Sequence, residues 1–360
     1  MRLMSGDVSN LPPGSRVVVR WRLAQPDAAS GATLTDSVGT LTGSDATHLE
    51  VLTSRGTVRI ERTSVVAAKE VPPRPARRGA AHLATSVEDL QAAVVPSWGA
   101  LEREQLGGWA LRASRGFTQR GNSTVPVGSP GMPLEAAVER VEQWYAARQL
   151  PAKLALAGPE GFDVGDDPLG ALLLARGYTV GSLTLVLTAS AATVAAADPG
   201  GPSVSIEPTP GEAWLRAYHG TRRSDPETAR GVLTGSPRQL FGSVLPGGGL
   251  SQQLGLRAPD AAGTSPIALA RLGFGAGWAG LGAVWTDPVY RGRGIAAHLT
   301  ARLADAALRD GVSLLHLQVE HDNATAIRLY ERLGFAHHSS YAYLTSPQEP
   351  GPATPPDASS

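Results

Sequence analysis

The sequence predicts an α+β protein, in which a mixed sheet with helices occurs in two tandem copies after a small all-β barrel. Three observations predict this fold. Strand-like runs crowd residues 16–71, helical and strand-like patterns alternate from residue 81 onward, and one pattern of loop, helix and strand occurs twice. Closely spaced short strands are typical of small barrels, and alternating patterns are typical of mixed sheets.

The composition fits a globular protein and excludes several kinds of site. The 360 residues are 42% hydrophobic, and 32 basic side chains balance 32 acidic ones, so we expect neither a nucleic-acid nor a membrane partner. The absence of cysteine excludes disulfides, thiolate nucleophiles and thiolate zinc sites. The eight histidines show no metal-ligand spacing with carboxylates, and we predict no metal site. The N-terminus lacks the apolar core of a secretory signal, which predicts a cytoplasmic protein.

Residues 11–71 are predicted to form the barrel. Its strand-like runs are RVVVRWRL, SVGTLTG, THLEVLT and TVRIERTSVVAAKEV, with turn formers at Pro26-Asp27, Gly43-Ser44 and Arg55-Gly56 between them. The segment 72–80 is basic and rich in proline, so we expect an extended linker.

Residues 81–190 predict a first mixed half. SVEDLQAAVVPSW, PLEAAVERVEQWYAARQL and DPLGALLLARG have helical patterns, and GWALRAS, KLALAG and SLTLVLT have strand-like ones. The segment 191–203 consists of small residues without a periodic face and is predicted to be a second linker.

Residues 204–345 predict a second mixed half with a glycine loop at its centre. The strand-like WAGLGAVW leads into PVYRGRG, and Ile295, Leu299 and Leu303 then recur at helical spacing. Free amides and the helix dipole favour phosphate at such a position. The Gly247-Gly248-Gly249 loop is expected to be a hairpin tip near the substrate entrance, and the tail 346–360 is expected to be disordered.

The two halves align with each other, which predicts an internal duplication. LLLARGYTVGSLTLVL lies over LYERLGFAHHSSYAYL without a gap, and GSPGMPLEAAVERVEQWYAARQLPAKLAL lies over RGRGIAAHLTARLADAALRDGVSLLHLQV with a small one. The first copy has Gly128, Asp166 and Leu173 opposite Arg291, Asn323 and Tyr330. If the second copy is active, the degenerate first copy is a scaffold. The alternative is that any two units of strand, helix and strand look alike.

The glycine loop also matches a relaxed dinucleotide fingerprint, Gly292-x-Gly294-x-x-Ala297. Five residues separate the expected strand end at Thr286 from Gly292, two arginines suit an exposed phosphate chain, and only 40 residues follow Glu320. These features favour another pyrophosphate ligand over a dinucleotide. A surface turn that binds nothing is the remaining alternative.

The residues around this loop resemble the GNAT superfamily of N-acetyltransferases. Arg291, Gly294 and Ala296 match its acyl-CoA signature after a Pro-x-Tyr, and Asn323, Tyr330 and Leu333-Gly334-Phe335 match the second half of its pattern. The barrel resembles the SH3-like kind. A degenerate copy followed by an intact one is similar to the tandem GNAT proteins of actinobacteria, among them the mycothiol synthases, which lack the barrel. The barrel followed by LEREQLGGWALRASRGFTQRGNS more closely resembles a different actinobacterial group of acetyltransferases.

The resemblance implies acetyl-CoA as donor and a set of site residues. Amides of Arg291, Gly292, Arg293, Gly294, Ile295 and Ala296 would cradle the pyrophosphate, and Val284, Trp285 and Thr286 would pair with the pantetheine arm. Tyr330 would be the acid for the departing thiolate, and Asn323 would hold cofactor amides. Glu320 is the candidate base, with His321, Asp287 and Asp322 as further candidates. The structural alternatives are that Asn323 is a helix N-cap and that Tyr330 is a core aromatic.

The predicted function is that of an acyltransferase that acetylates a primary amine of a small molecule or a protein. Direct attack in a ternary complex is expected, because no cysteine can carry an acyl intermediate. The alternative is a protein that senses acyl-CoA or binds a partner through the barrel, with little catalysis. A homodimer and a peptide or protein partner for the barrel are left open.

Overall fold

The computed structural model describes residues 16–23, 25, 33–53, 56–70, 81–221, 225–246 and 265–347. The chain divides into two compact units, Met1–Arg78 and Gly79–Ser360. The predicted linker 72–80, the predicted hairpin tip at 247–249 and the predicted tail beyond Pro347 lie outside the described residues.

The N-terminal unit contains a five-stranded antiparallel sheet, which confirms a small all-β region. Its strands are β1 Arg16–Arg22, β2 Leu34–Ser44, β3 His48–Thr53, β4 Gly56–Glu61 and β5 Val65–Glu70, in the order β4-β3-β2-β1-β5. Alternate residues of β1, Val17 and Val19, are completely buried, together with Leu49 and Val51 of β3. This period of two is the pattern of strands with one face in a core.

One turn of this unit differs from the prediction at Gly43-Ser44, because both residues lie within β2. The chain turns at Asp45, whose Oδ1 accepts hydrogen bonds of 2.7 Å from the amides of Thr47 and His48. An aspartate that bonds the backbone two and three residues ahead is itself a strong turn former. The turns predicted at Pro26-Asp27 and at Arg55 lie outside the described residues.

The second unit combines one eight-stranded mixed sheet, a two-stranded hairpin and, in its described residues, nine helices. Its strands are β6 Glu102–Leu106, β7 Trp109–Ala113, β8 Lys153–Gly158, β9 Thr179–Ser190, β10 Val204–Glu207, β11 Arg238–Val244, β12 Ala268–Gly275, β13 Trp278–Thr286, β14 Leu314–Glu320 and β15 Ala336–Thr345. Its helices are α1 Ala81–Ala84, α2 Val87–Ser97, α3 Leu134–Ala146, α4 Pro168–Ala175, α5 Ala191–Ala196, α6 Glu212–Thr221, α7 Pro226–Thr234, α8 Ile295–Arg309 and α9 Ala324–Arg332.

The large sheet has the order β10-β11-β12-β13-β14-β9-β15-β8, so strands of the two predicted halves interleave. β9, from residues 81–190, lies between β14 and β15, from residues 204–345, and is antiparallel to both. Two halves expected as separate domains therefore share one sheet within one compact unit. The order α3-β8-α4-β9 repeats as α8-β14-α9-β15, which agrees with the aligned sequences, while duplication itself stays a prediction.

Two segments differ from their predicted structure. The expected linker 191–203 contains α5, whose Ala191 and Val194 are completely buried and which packs on α8. Alanine has the highest helix propensity, so a run of alanines forms a helix once a neighbour covers it. The strand-like GWALRAS forms β7, but it pairs with β6 in the separate hairpin rather than with the large sheet.

Glycines on β12 and β13 allow α2 to approach one face of the sheet very closely. A Cβ on Gly273 would stand 1.9 Å from the Ser97 carbonyl oxygen, and one on Gly275 would stand 2.4 Å from the Pro96 Cγ. A Cβ on Gly280 of β13 would stand 2.7 Å from the Ser97 Oγ. Leu272, next to Gly273, and Leu281, next to Gly280, belong instead to the core that includes α8. The end of α2 and helix α8 therefore cover opposite faces of the sheet.

Candidate active site

Two neighbouring parallel strands separate in the middle of the sheet. β13 and β14 pair from Trp278 opposite Leu314 to Leu281 opposite Leu317, and the pairing then stops. A bulge accompanies the separation: Arg271 of β12 lies opposite Gly282, but Leu269 lies opposite Trp285, so β13 carries one extra residue there. Ala283 in the bulge has a φ of +53°, in the left-handed region that a residue with a side chain seldom adopts. Strain of this kind collects at functional sites.

A cleft of about 370 Å³ opens where the strands separate. Residues from both predicted halves line it: Trp98, Thr118, Gln119, Arg120, Ser182, Thr184, Tyr218, Leu281, Gly282, Ala283, Val284, Leu317, Gln318, Val319, Glu320, Asn323, Ala326, Tyr330, Tyr341 and Tyr343. Four site residues predicted from the sequence are therefore brought together, namely Val284, Glu320, Asn323 and Tyr330. The others, from Trp285 to Ala296, are not part of this lining.

The predicted phosphate loop forms the start of α8. β13 ends at Thr286 as expected, and a 3-10 turn at Pro288–Tyr290 follows. Gly292 and Gly294 have φ values of +74° and +76°, and Gly294 is the N-cap without a side-chain acceptor. The residues from Arg291 to Gly294 are exposed. The first amides of α8 thus have neither an intrahelical acceptor nor a side-chain cap, which is the geometry of an anion site.

Arg291 is tied to the end of β13 by its own side chain. Its Nε donates to the carbonyl oxygen of Thr286 over 3.1 Å. The Asp287 carboxylate accepts from the amide of Val289 over 2.9 Å, and Ile295, the first residue of α8, is buried. These contacts fix the loop between a rigid strand and a rigid helix.

Tyr330 is both a core residue and a cleft residue. Its side chain is 7% exposed, and its ring meets that of Phe335 edge to face at 5.7 Å. Its Oη has no hydrogen-bond partner among the described residues. Burial raises the pKa of Tyr330 well above its usual value, so the phenol stays protonated at neutral pH.

Asn323 begins helix α9 at the wall of the cleft. Its Oδ1 accepts a hydrogen bond of 3.1 Å from the amide of Ala326, so the structural alternative of an N-cap is correct. Capping occupies the carbonyl oxygen and leaves the side-chain NH₂ as a donor.

Of the four candidate bases, Glu320 lines the cleft. It is exposed at the end of β14, and its carbonyl oxygen accepts from the amide of Asn323 over 3.0 Å. His321, Asp322 and Asp287 are not among the described residues of the lining, and Asp287 bonds the loop instead.

Sequence reasoning missed the part of the cleft that comes from the first half and from β15. Trp98 and Arg120 approach β13 from the face opposite α8, and Tyr341 and Tyr343 stand on β15. Tyr341 Oη donates to Gln318 Oε1 over 3.3 Å. Burial, followed by the neighbouring Tyr341, raises the pKa of Tyr343 well above its usual value. The sequence signal for this part of the cleft was the stretch RGFTQRGNS, which contributes to the resemblance to actinobacterial acetyltransferases. No spacing within this stretch distinguishes Arg120 from its neighbours.

The described residues contain no group of three or more histidine, aspartate or glutamate side chains arranged to hold a metal ion. No helix in the described part of the chain is long and apolar enough to cross a membrane.

Two protein families match the chain. Residues 84–344 match the family described as "Probable histone acetyltransferase Rv0428c C-terminal", and residues 11–69 match "Rv0428c N-terminal Sm-like domain". The small all-β region that resembles an SH3-like barrel is thus matched by a family named for the Sm-like fold.

Two relatives and one solved structure extend these matches. The chain is 30% identical over 336 residues to "Probable histone acetyltransferase Rv0428c" of Mycobacterium tuberculosis, covering 92% of this chain and 94% of that protein. It is 25% identical over 261 residues to "Uncharacterized N-acetyltransferase YobR" of Bacillus subtilis, covering 71% and 96%. A GCN5-related N-acetyltransferase from Kribbella flavida superposes with a TM-score of 0.50 at 18% identity, covering 73% of this chain and 96% of that one. The similarity to the Kribbella flavida structure shows the fold of this chain.

Proposed function

The chain belongs to the GNAT N-acetyltransferases, in the family described as probable histone acetyltransferase Rv0428c C-terminal, and from that premise we propose that it transfers acetyl from acetyl-CoA to a primary amine. The cleft between the separated strands carries the proposal, because Val284, Glu320, Asn323 and Tyr330 meet there. Direct attack of the amine in a ternary complex is part of the proposal, since the chain has no cysteine to carry an acetyl group.

The residues present suit acetyl-CoA at two places. The exposed N-terminus of α8 offers amides from Gly292 to Ala296 that have no acceptor among the described residues, and these would hold the pyrophosphate. The amide of Arg291 donates to the carbonyl oxygen of Pro288 over 3.3 Å. Beyond Leu281 the edge of β13 toward β14 has no strand partner among the described residues, so the backbone of Val284, Trp285 and Thr286 would pair with the amide-bearing arm. When bound, acetyl-CoA supplies the activated acetyl thioester.

The side chains in the cleft would handle the protons. Tyr330 holds its phenolic proton at neutral pH and would give it to the departing sulfur, and it would regain a proton from the nitrogen as the amide forms. Glu320, exposed at the end of β14, would take a proton from the attacking ammonium, directly or through water. The NH₂ of Asn323 would hold an amide of the donor, and a backbone amide of β13 near Val284 would polarise the acyl carbonyl.

Two classes of acceptor are compatible with this chemistry. The name of the Mycobacterium tuberculosis relative points to an amine on a protein, and the size of the cleft, about 370 Å³, suits an amine on a small molecule. The charge of Arg120 in the cleft wall favours one of the two classes.

The test is to melt the full chain with and without acetyl-CoA and to follow the release of free CoA thiol with a panel of amines. A ligand that binds only the folded state at a hundred times its Kd stabilises it by about 2.7 kcal/mol. We expect a clear rise in Tm and thiol release that depends on an amine. An unchanged Tm at saturating acetyl-CoA contradicts the donor assignment. A raised Tm without transfer to any amine favours the alternative, a protein that senses acyl-CoA and binds a partner through its N-terminal unit.

A further inference from the structure

The cleft contains an arginine whose charge is not used within the described structure. Arg120 lies against β13, with its Nη1 3.7 Å from where a Cβ on Gly282 would stand. Its Cζ lies 4.9 Å from the centroid of the Trp98 ring. None of its guanidinium nitrogens has a hydrogen-bond acceptor among the described residues, and its Nε is buried. The four N–H donors of its two Nη atoms are therefore available at the wall of the cleft.

The neighbouring charges have the same sign. Arg271 is completely buried and donates to three neutral acceptors, the carbonyl oxygens of Leu233 and Ser97 at 2.6 and 2.8 Å and the Ser236 hydroxyl at 2.7 Å. Burial and then the charge of Arg120 lower the pKa of Arg271 to about 9.

Arg112 is a second arginine whose charge interacts with that of Arg120. It is also buried, and it donates to the carbonyl oxygen and the hydroxyl of Ser123 over 3.2 and 3.1 Å. Burial is the largest cause, and the charge of Arg120 a further cause, of its lowered pKa. Among the described residues, none of the three arginines has a carboxylate within 4 Å. Within the described part of the chain, the positive charge around Arg120 thus has no counterion, which favours an anionic ligand.

Arg120 lies on the side of the cleft away from the predicted pyrophosphate loop. Gly282 pairs with Arg271 and contacts Trp98, whereas the adjacent Leu281 packs in the core with Leu299 of α8. Side chains alternate between the faces of a strand, so Arg120 and α8 lie on opposite faces. Because the proposed site for the donor phosphates is the start of α8, the charge of Arg120 is available to bind the acceptor.

We propose, on the basis of the proposed function, that the acceptor is a small primary amine that also carries a carboxylate or a phosphate, and that Arg120 binds this anionic group. A guanidinium binds either group through two parallel hydrogen bonds. Glu320 is the acid among the described lining residues and forms no ion pair with Arg120, so the cleft offers one negative and one positive group, as a zwitterion requires. A lysine-rich protein tail would bring further cations toward Arg120 and is disfavoured.

The first measurement compares acceptors that differ only in charge. A set of amino acids is compared with the corresponding carboxamides, which lack the carboxylate. Phosphoethanolamine is compared with ethanolamine, which lacks the phosphate. A lysine-rich histone-tail peptide is the cationic acceptor. A hydrogen bond to a charged group contributes about 1.5–3 kcal/mol, so we expect kcat/KM to favour the anionic member of a productive pair by about 10-fold to 100-fold. The two pairs distinguish a carboxylate from a phosphate. The same compounds, added to the protein saturated with CoA, give a binding readout through Tm.

The second measurement uses Arg120→Met, which removes the charge and keeps the length of the side chain. The matched control is Arg148→Met, because Arg148 also stacks on a tryptophan, with its Cζ 3.7 Å from the Trp144 ring centroid, but lies outside the described lining. Arg120→Met should abolish the preference for the anionic member while the rise in Tm with acetyl-CoA is retained. Arg148→Met should change neither.

Each outcome of the two measurements either supports or overturns the assignment of Arg120 to the acceptor. A preference for anionic amines that Arg120→Met removes supports the inference. Equal kcat/KM and equal binding of both members by the parent protein overturn it and leave the acetyltransferase proposal standing, as does a preference for the cationic peptide. Loss of rate with every amine in Arg120→Met assigns Arg120 to the transfer step and also overturns the inference. A chain whose Tm does not respond to acetyl-CoA overturns the inference together with the proposed function.

Discussion

At the residue scale, the structural and functional interpretations of Asn323 and Tyr330 are compatible. Asn323 caps α9 through one side-chain atom, and Tyr330 packs on Phe335, yet both border the cleft. The N-terminus of α9 follows directly after β14, the strand that leaves β13, so a residue that starts the helix necessarily stands beside the opening. The structural role positions the side chain for the proposed role.

Tyr330→Phe tests the proposed acid. Removing the hydroxyl keeps the ring contact with Phe335, so we expect kcat to fall by about 100-fold or more, in the range of general acid catalysis. The rise in Tm with acetyl-CoA should remain. Tyr178→Phe is the control, because Tyr178 is also buried but donates to Glu142 over 3.0 Å, away from the described lining. Equal kcat in Tyr330→Phe and the parent protein removes Tyr330 from the acid role.

At the scale of elements, the two aligned glycine loops share a left-handed glycine at one position but not a sequence context. Gly294 has a φ of +76°, and Gly131, its counterpart in the first half, has a φ of +78°. Gly294 directly starts α8, whereas Gly131 is followed by Met132 and Pro133 before α3 begins at Leu134. Only the second loop combines this conformation with Arg291 and a helix that begins at once.

The pair Gly294→Ala and Gly131→Ala tests whether this difference matters. A left-handed conformation costs an alanine about 1–2 kcal/mol, and an added Cβ meets nothing closer than 3.9 Å at either position, so both variants should lose similar stability. Only Gly294→Ala should weaken the binding of acetyl-CoA, because it shifts the amides at the start of α8. Titration of Tm with acetyl-CoA measures both effects, and equal weakening in both variants would count against a pyrophosphate site at Gly294.

At the scale of the whole molecule, the interleaved sheet makes the first half part of the site. Residues from α2 to β9, including Trp98, Arg120 and Thr184, line the cleft beside residues of the second half. β9 lies between β14 and β15, so the second half cannot complete its sheet alone. The expected scaffold therefore also contributes part of the cleft wall.

The interleaved core also predicts how stability depends on pH. His316 on β14 is buried, and neither ring nitrogen has a partner among the described residues. Burial and then the charge of Arg120 lower its pKa from 6.5 to about 3. The unfolded chain therefore binds a proton between pH 6.5 and 3 that the folded chain does not, and stability is lost as the pH falls through this window.

His316→Gln should reduce this loss. The parent protein should lose about 1.4 kcal/mol per pH unit from this one group below pH 6.5, and the variant should show a shallower slope by about that amount. Urea unfolding at several pH values between 4.5 and 7.5 measures the free energy of unfolding. The exposed His321→Gln is the control and should keep the parent slope. Equal slopes for His316→Gln and the parent would show that His316 does not remain neutral in the folded state.

Much of the fold could be predicted because its signals are local. The spacing of Ile295, Leu299 and Leu303 predicted α8, and all three are buried. The predictions failed where contacts between distant residues determine the local structure. The linker 191–203 became partly helical because α8 covers α5, and GWALRAS joined a hairpin because β6, which carries no alternating apolar pattern, lies next to it.

The sequence by itself determined the family pattern, the glycine loop at the start of a helix, and the position of Asn323 and Tyr330 on the helix that follows β14, because each depends on neighbours within one or two elements. Only the tertiary structure decided that β9 separates β14 from β15, that a bulge at Ala283 accompanies the opening of the cleft, and that Arg120 stands in the cleft wall with no counterion among the described residues. The physical reason is distance along the chain. Strand order and the balance of buried charge depend on residues more than a hundred positions apart, and no local pattern records which of them will meet.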